Sequence, residues 1–417
     1  MFGLCRRRVL LQQRQHAITE LQRRNVQTVY ELTGRHKEIQ ELCRKFAKTE
    51  LKPVAAANDR DSRYPEQQVK RLFELGLMGI CASPDFGGLG LDSLAFSVAI
   101  EELSRGCSST AVVCSIHNAL CVGLLEKCGT LEQKNQFLKE FTTNSVGFFA
   151  LSETEAGSDV VALSTEAKNK DESFILNGKK AWVTSAPEAK AGIVLATVDK
   201  ELGHSGITAF IIEKSFAGVK IGPKIDKLGL RASSTSDLYL KDVKVPQKNL
   251  IGSVGEGFKL AMNQLELARI GKASVAVGIA SEALKTAILY ASERRQFNQR
   301  LLTMPTVKIR LAEMSAKLEA ARVITRTAAI QRDTNGKSTK LSSMAKFVAC
   351  EAATEVAHCC IQIMGAMGIV GTENAERLYR DARVTQILGG VTDIQKLVVA
   401  DQLIREYRLD RKIGKGL

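Results

Sequence analysis

The sequence predicts an α+β chain in three parts: an N-terminal α-helical domain, a middle β domain and a C-terminal four-helix bundle. Two changes of periodicity predict it. Apolar residues recur at three-to-four spacing to about residue 145, and short β-branched runs then replace them. After about residue 252 the helical period returns and holds to the end. Strands do not alternate with helices, which excludes a doubly wound nucleotide fold. The predicted parts are 31–145, 146–254 and 255–417, behind a distinct segment 1–30.

That first segment carries Arg6, Arg7, Arg8, Arg14, Arg23 and Arg24 against Glu20 alone. Val9, Leu10, Leu11, Ile18 and Leu21 are interspersed. Arg-rich, acid-poor composition reads as a mitochondrial presequence. A basic helix that stays on the protein is the other reading, because serine enrichment is missing. No apolar core of roughly 7–15 residues follows, so a secretory signal is not expected.

In the helical part, "EQQVKRLFELGLMGI" and "DSLAFSVAIEELSRGC" both keep helical spacing, and "PDFGGLGLD" (Pro84–Asp92) is a loop. In the β part, "SFILNGKKAWVTSA" reads as strand, Asn-Gly turn, strand. "AGIVLATVD", "GITAFIIEK" and "DLYLKDVKVP" are further strands. In the last part Leu311, Met314, Leu318 and Ala321 mark one apolar stripe. Four long helices are expected over 256–415, with a break around Arg332–Thr339.

Composition narrows the function classes. The 417 residues include 59 basic and 45 acidic side chains, for a net charge of +14. Aromatic residues are 5% of the chain, too few for the basic-aromatic clustering that nucleic-acid binding wants. No uninterrupted apolar run reaches the ~18 residues of a membrane span. Cys107, Cys114, Cys121 and Cys128 recur at seven-residue spacing. On a helix successive members stand ~10 Å apart, too far to share one metal ion. The histidines show no ligand spacing, so no metal is expected.

Two stretches carry chemistry. "FALSETEAGSDVVALS" gathers hydroxyls and carboxylates around Gly157, a donor-rich turn suited to phosphate or ring heteroatoms, or else an ordinary surface turn. "KAWVTSA" holds the lone Trp182 beside Thr184. Such a tryptophan either walls a planar cofactor or belongs to the core.

Taken together, the chain resembles the acyl-CoA dehydrogenase family, most closely its short-chain, butyryl-CoA-type members. The resemblance runs from about Leu32 to Arg408. It rests on "ALSETEAGSD", "QIMGAMGIVGTENAERLYRDAR", "RGCSSTAV", "LNGKKAWVTSA", "KLGLRASST", "VPQKNLIG", "GEGFKLAM" and "RIGKAS". It implies an acyl-CoA dehydrogenase-like fold, a homotetramer, non-covalent FAD and a mitochondrial matrix location. It also implies α,β-dehydrogenation of a short-chain acyl-CoA, with electrons leaving to electron-transfer flavoprotein.

The resemblance also implies roles for residues. Phe149, Ala150, Leu151, Ser152, Glu153, Thr154, Gly157 and Ser158 line the flavin, Ser158 also lying near the CoA chain. Trp182, Val183 and Thr184 pack on or bond to the isoalloxazine. Arg294 reaches the FAD of a neighbouring subunit, which Gln362, Ile363, Met364 and Gly365 approach through backbone. Glu266, Leu267, Ala268 and Arg269 match the stretch that contacts substrate. Arg383 sits on the helix leading to the site.

One motif departs from the family. The turn that usually reads "EIYEGTSEIQ" here reads "QILGGVTDIQ". Gly389 stands where the family has its catalytic glutamate. Gly390 keeps the position facing the thioester, Val391 replaces a flavin-touching threonine, and Asp393 is an acidic position of the same turn. Relatives that carry the base elsewhere place it at the position of Ala268. No catalytic residue is therefore assigned, and a weak or inactive FAD- or acyl-CoA-binding protein is the alternative reading. Gly389→Glu is expected to restore dehydrogenation unless Gly389 needs a positive φ. Pro305, Ala366 and Asn298 are further departures near the cofactor.

Overall fold

The computed structural model describes residues 32–413, and the 1–30 segment read as a presequence lies outside the described residues. Helix α1 (Gly34–Phe46) turns Ile39, Cys43 and Phe46 inward, four and three residues apart. Two shorter helices follow, α2 (Lys52–Arg60) and α3 (Glu66–Glu74). The next, α4 (Ser93–Gly106), starts where the Asp92 carboxylate accepts the Ala95 N–H at 2.7 Å. Such an N-cap stabilises a helix by about 1 kcal/mol. Helix α5 (Ser108–Cys128) is buried along nearly its whole length, and α6 over 131–143 opens with a Thr130/Gln133 capping box.

The β domain follows with β1 (Gly147–Ala150), β2 (Glu166–Lys170), β3 (Ser173–Thr184), β4 (Ala191–Thr197), β5 (Ile207–Glu213), β6 (Val219–Lys224), β7 (Thr235–Pro246) and β8 (Leu250–Ile251). They form one sheet in the order β6-β7-β3-β2-β4-β5-β8, with β1 parallel to β4. The predicted hairpin at Asn177–Gly178 is absent. Instead β3 runs through both residues, and its pairing with β7 shifts there. Gly178 (φ +155°) passes so close to Thr165 that no Cβ fits, and Asn177 bonds sideways to Asp242. Asn-Gly here makes a bulge and not a turn.

The last part holds α7 (Gly257–Glu293), a small hairpin of β9 (Arg295–Gln296) and β10 (Gln299–Arg300), α8 (Pro305–Asn335), α9 (Thr339–Met364), α10 (Asn374–Ile387) and α11 (Thr392–Ile413). The expected α+β, three-part fold class holds. Among the described residues the last part has the four long helices expected, α7, α8, α9 and α11, with the shorter α10 between the last two. By length and composition three helices among the described residues (Ser108–Cys128, Gly257–Glu293 and Thr339–Ile369) are apolar enough to cross a membrane. Sequence reading missed them because Ala, Gly, Ser and Cys raise mean hydropathy without an unbroken apolar run. In the fold 94%, 67% and 50% of their respective apolar windows are buried.

Polar contacts join the parts. Ser97 and Ser274 share a 2.7 Å hydroxyl bond, and Glu101 of α4 binds Arg322 of α8 at 2.8 Å. The densest junction lies on α10, in "YRDAR". Arg380 donates to Asp59 of α2 at 2.7 Å, to Glu376 at 2.6 Å and to the Leu228 carbonyl of the β domain at 3.1 Å. Asp381 accepts the Leu230 N–H at 2.6 Å, while burial pushes its carboxyl up to about 6. Arg380→Met strands a buried Asp59 and is expected to cost about 3 kcal/mol in urea unfolding. A loss below about 0.5 kcal/mol, the range of an ordinary surface substitution, would show that the junction does not hold the domains.

Candidate functional site

The chain leaves β1 into a loop over 151–159 that Glu153 holds from within. Its carboxylate accepts the N–H groups of Ser164 (2.6 Å) and Thr165 (3.0 Å) and both their hydroxyls. Lys180 on β3 donates to Glu153 at 2.8 Å and to the Leu151 carbonyl at 3.0 Å. The Ala181 N–H donates to the Ser152 carbonyl at 2.9 Å. Burial alone would raise the Glu153 carboxyl, but the Lys180 ammonium and the hydroxyls hold it down at about 2. So Glu153, expected among the flavin contacts, turns its side chain into the β domain. Thr154, Gly157 and Ser158 remain exposed, and nothing lies within 4 Å of a Cβ built at Gly157.

The same clamp sets Trp182. The β3–β7 register shifts between Lys180 and Val183, and Trp182 takes a left-handed φ of +60°. Its ring is 61% exposed, so it is not core. Val183 and Thr184 on either side of the pleat are buried. Lys180→Met leaves the Glu153 charge buried without its cation, and a loss of about 3–5 kcal/mol is expected in thermal or urea unfolding. The Glu153 contribution is fully present above pH 4.5 and fades as the pH falls toward 2. A Lys180→Met protein as stable as the parent at neutral pH would contradict it.

At the end of α9, Ile363 and Met364 point into the core, whereas Gln362 and Gly365 face outward. Gly365 (φ +60°) has open space over its Cα. Arg294 closes α7, is exposed and has no ion pair among the described residues. Beyond it the β9–β10 hairpin turns through Phe297 and Asn298, both left-handed, with Phe297 88% exposed. Asn298 meets the turn's positive φ. Pro305 stands at the first turn of α8, where a missing N–H costs nothing. Ala366 is exposed.

Glu266 is buried and committed: it accepts the Ser338 N–H at 2.9 Å and the Thr339 hydroxyl. Leu267 and Ala268 are buried and Arg269 is partly so. Arg383 is exposed and donates to Gln386. Val391 is half-buried and Asp393 exposed in the first turn of α11.

The turn between α10 and α11 holds the unexpected feature. Gly389 and Gly390 both have positive φ, +67° and +95°. A Cβ at Gly389 would overlap Cε and Nζ of Lys272, and one at Gly390 would meet the Gln395 amide. Lys272 on α7 is 4% exposed and makes no hydrogen bond or ion pair among the described residues. Burial, then the charges of Lys346 and Arg269, pull its amine down to about 7. Lys346 on α9 is fully buried and donates to the Gln386 carbonyl at 2.9 Å. Sequence reading did not single out Lys272. The signal was there: one lysine inside "LARIGKASVAVGIA", where every neighbour is apolar or small apart from Arg269.

The structure thus clamps Ser152 against Ala181 and brings Gly389 against Lys272, while Glu266 is tied toward Ser338 and Thr339. The collision also corrects the expected effect of Gly389→Glu. Left-handed φ costs a non-glycine residue about 1–2 kcal/mol, and the end of the Lys272 side chain would have to move aside. Gly389→Glu alone is expected to lower the melting temperature, with part of the loss recovered in Lys272→Ala/Gly389→Glu. A stable single variant would contradict this placement.

Three family models match in order: "Acyl-CoA dehydrogenase, N-terminal domain" over 33–145, "middle domain" over 148–243 and "C-terminal domain" over 255–404. The mitochondrial short-chain specific acyl-CoA dehydrogenase of Rattus norvegicus is 45% identical over 389 residues, 92% of this chain and 94% of the relative. Butyryl-CoA dehydrogenase from Megasphaera elsdenii superposes with a TM-score of 0.88 at 34% identity, over 90% of this chain and 99% of the other. PigA, solved with FAD and proline, superposes with a TM-score of 0.87 at 27% identity, over 90% and 98% of the two chains.

Proposed function

Because the chain belongs to the acyl-CoA dehydrogenase family, we propose that it binds FAD and dehydrogenates a short-chain acyl-CoA between the α- and β-carbons. The observation that carries the reading is the clamped pair of stretches, 151–159 and 180–184, which leaves an exposed Trp182 beside an open, hydroxyl-bearing loop. These residues fit a flavin. Trp182 offers a flat apolar face, the 151–159 loop offers backbone and hydroxyl donors, and Gly365 leaves room for close backbone approach. FAD supplies the acceptor for the hydride that leaves the β-carbon. The chain's own work is to hold that ring, orient the thioester and move the α-proton. In this reading the family's glutamate position is Gly389, so the proton has no carboxylate there. Electron-transfer flavoprotein is the electron acceptor that the family resemblance implies.

Arg294 acts on the FAD of a neighbouring subunit in an assembled homotetramer. Its lack of an ion pair among the described residues supports this, as does the exposed Phe297 beside it. So do Leu397, Leu403, Ile404 and Tyr407, exposed along α11 at helical spacing. The matrix location rests on the Arg-rich 1–30 segment and on the mitochondrial relative.

The test is anaerobic spectroscopy on purified protein with butyryl-CoA, with calorimetric binding alongside. FAD is expected to co-purify, butyryl-CoA to bind, and the visible flavin band to bleach. Failure to bind any short-chain CoA thioester would overturn the reading. Tight binding with a flavin that stays oxidised would favour the binding-protein alternative.

A further inference from the structure

A side chain at position 389 and the Lys272 amine compete for one volume. The lysine rises from the middle of α7, the most enclosed helix of the last part, and ends against the turn that α10 delivers. It is buried, yet no carboxylate or carbonyl takes its protons among the described residues. That arrangement is costly: an ammonium with little exposure and no partner gives up part of its hydration without a compensating bond. The site relieves the cost by favouring the neutral amine.

The groups around it point the same way. Lys346 from α9 and Arg269 from α7 are both cations, and Lys346 keeps a partner in the Gln386 carbonyl. Cys350 from α9 is a buried thiol, held neutral by desolvation. The α10 side contributes Thr385 and Gln386, neither of them charged. The nearest acid in sequence, Glu266, spends both oxygens on Ser338 and Thr339. One cation anchored beside an unanchored amine is a known way to hold a lysine deprotonated near neutral pH.

We propose that Lys272 is the base that takes the α-proton of the acyl-CoA thioester, reaching through the turn that Gly389 leaves open. The inference rests on the acyl-CoA reading of the site. In this step the Cα–H bond breaks and an Nζ–H bond forms. The electron pair stays on the thioester as its enolate, and the ammonium returns the proton when no hydride leaves. The glycine then suits the site, because a Cβ at 389 would enter the volume that the end of the Lys272 side chain fills.

The test is α-hydrogen exchange of butyryl-CoA in heavy water, followed by mass spectrometry, on purified protein. It needs no flavin reduction. Exchange is expected to rise with pH through a midpoint near 7, because only the unprotonated amine accepts. Lys272→Met should lower exchange about 10²-fold or more, with butyryl-CoA binding retained. Unfolding supplies a second readout. A lysine amine held low in the fold penalises folding while protonated. Lys272→Met should therefore raise the melting temperature, most below pH 7 and less as the pH climbs toward 10.5.

Binding without exchange, or exchange that survives Lys272→Met, overturns this inference alone. A midpoint in the carboxylate range would overturn it in favour of Glu266. An acyl adduct on Lys272 would make the amine a nucleophile and overturn it too. Failure of butyryl-CoA to bind overturns both this and the reading it rests on.

Discussion

The placement of one short helix governs the rest. α10 is fixed at its middle, where Arg380 reaches Asp59 and the Leu228 carbonyl and Asp381 takes the Leu230 N–H. Both contacts are charge-assisted, and Asp59 and Asp381 are buried. The helix therefore cannot rotate or slide without stranding a charge. Its C-terminal end, and so the turn at Gly389 and Gly390, is delivered to a set place against α7. The dense charge of "YRDAR" is an anchor, and the bare turn after it is what the anchor positions.

Against that fixed turn, Gly389 and Lys272 read as one feature. Each alone looks like a defect: a glycine without a working side chain, and a lysine buried without an acid. Together they are complementary in volume. The glycine's left-handed backbone and the amine's approach both weigh against a larger residue at 389. A carboxylate and an amine are different bases, so the exchange moves the expected pH window of proton transfer upward. A carboxylate accepts protons well below neutral pH, whereas this amine does so only once the pH passes about 7.

Much of this was legible in the sequence. The helix–strand–helix order followed from periodicity, and the strands at "AGIVLATVD", "GITAFIIEK" and "DLYLKDVKVP" formed where β-branched runs stood. The loop beginning at Ser152 and the lone Trp182 stood out by residue type, and the fold clamps the two stretches together. What failed were local rules overruled by tertiary contacts. Asn177–Gly178 had the chemistry of a hairpin turn, but β7 paired through it and Asp242 took the asparagine. Sequence reading also gave no sign that the Glu153 carboxylate is held by Lys180, twenty-seven residues on. Lys272 stood out only as a lone lysine in an apolar run, because only the fold brings residue 272 to residue 389.

The most direct measurement is a crystal structure of the FAD-loaded protein with a non-reacting short-chain acyl-CoA analogue. With Lys272 as the base, its Nζ should lie about 3–3.5 Å from the analogue's α-carbon, the range of a reactive approach. No carboxylate should be nearer. An α-carbon facing Glu266 or another acid, with Lys272 turned away and hydrogen-bonded elsewhere, would contradict the account.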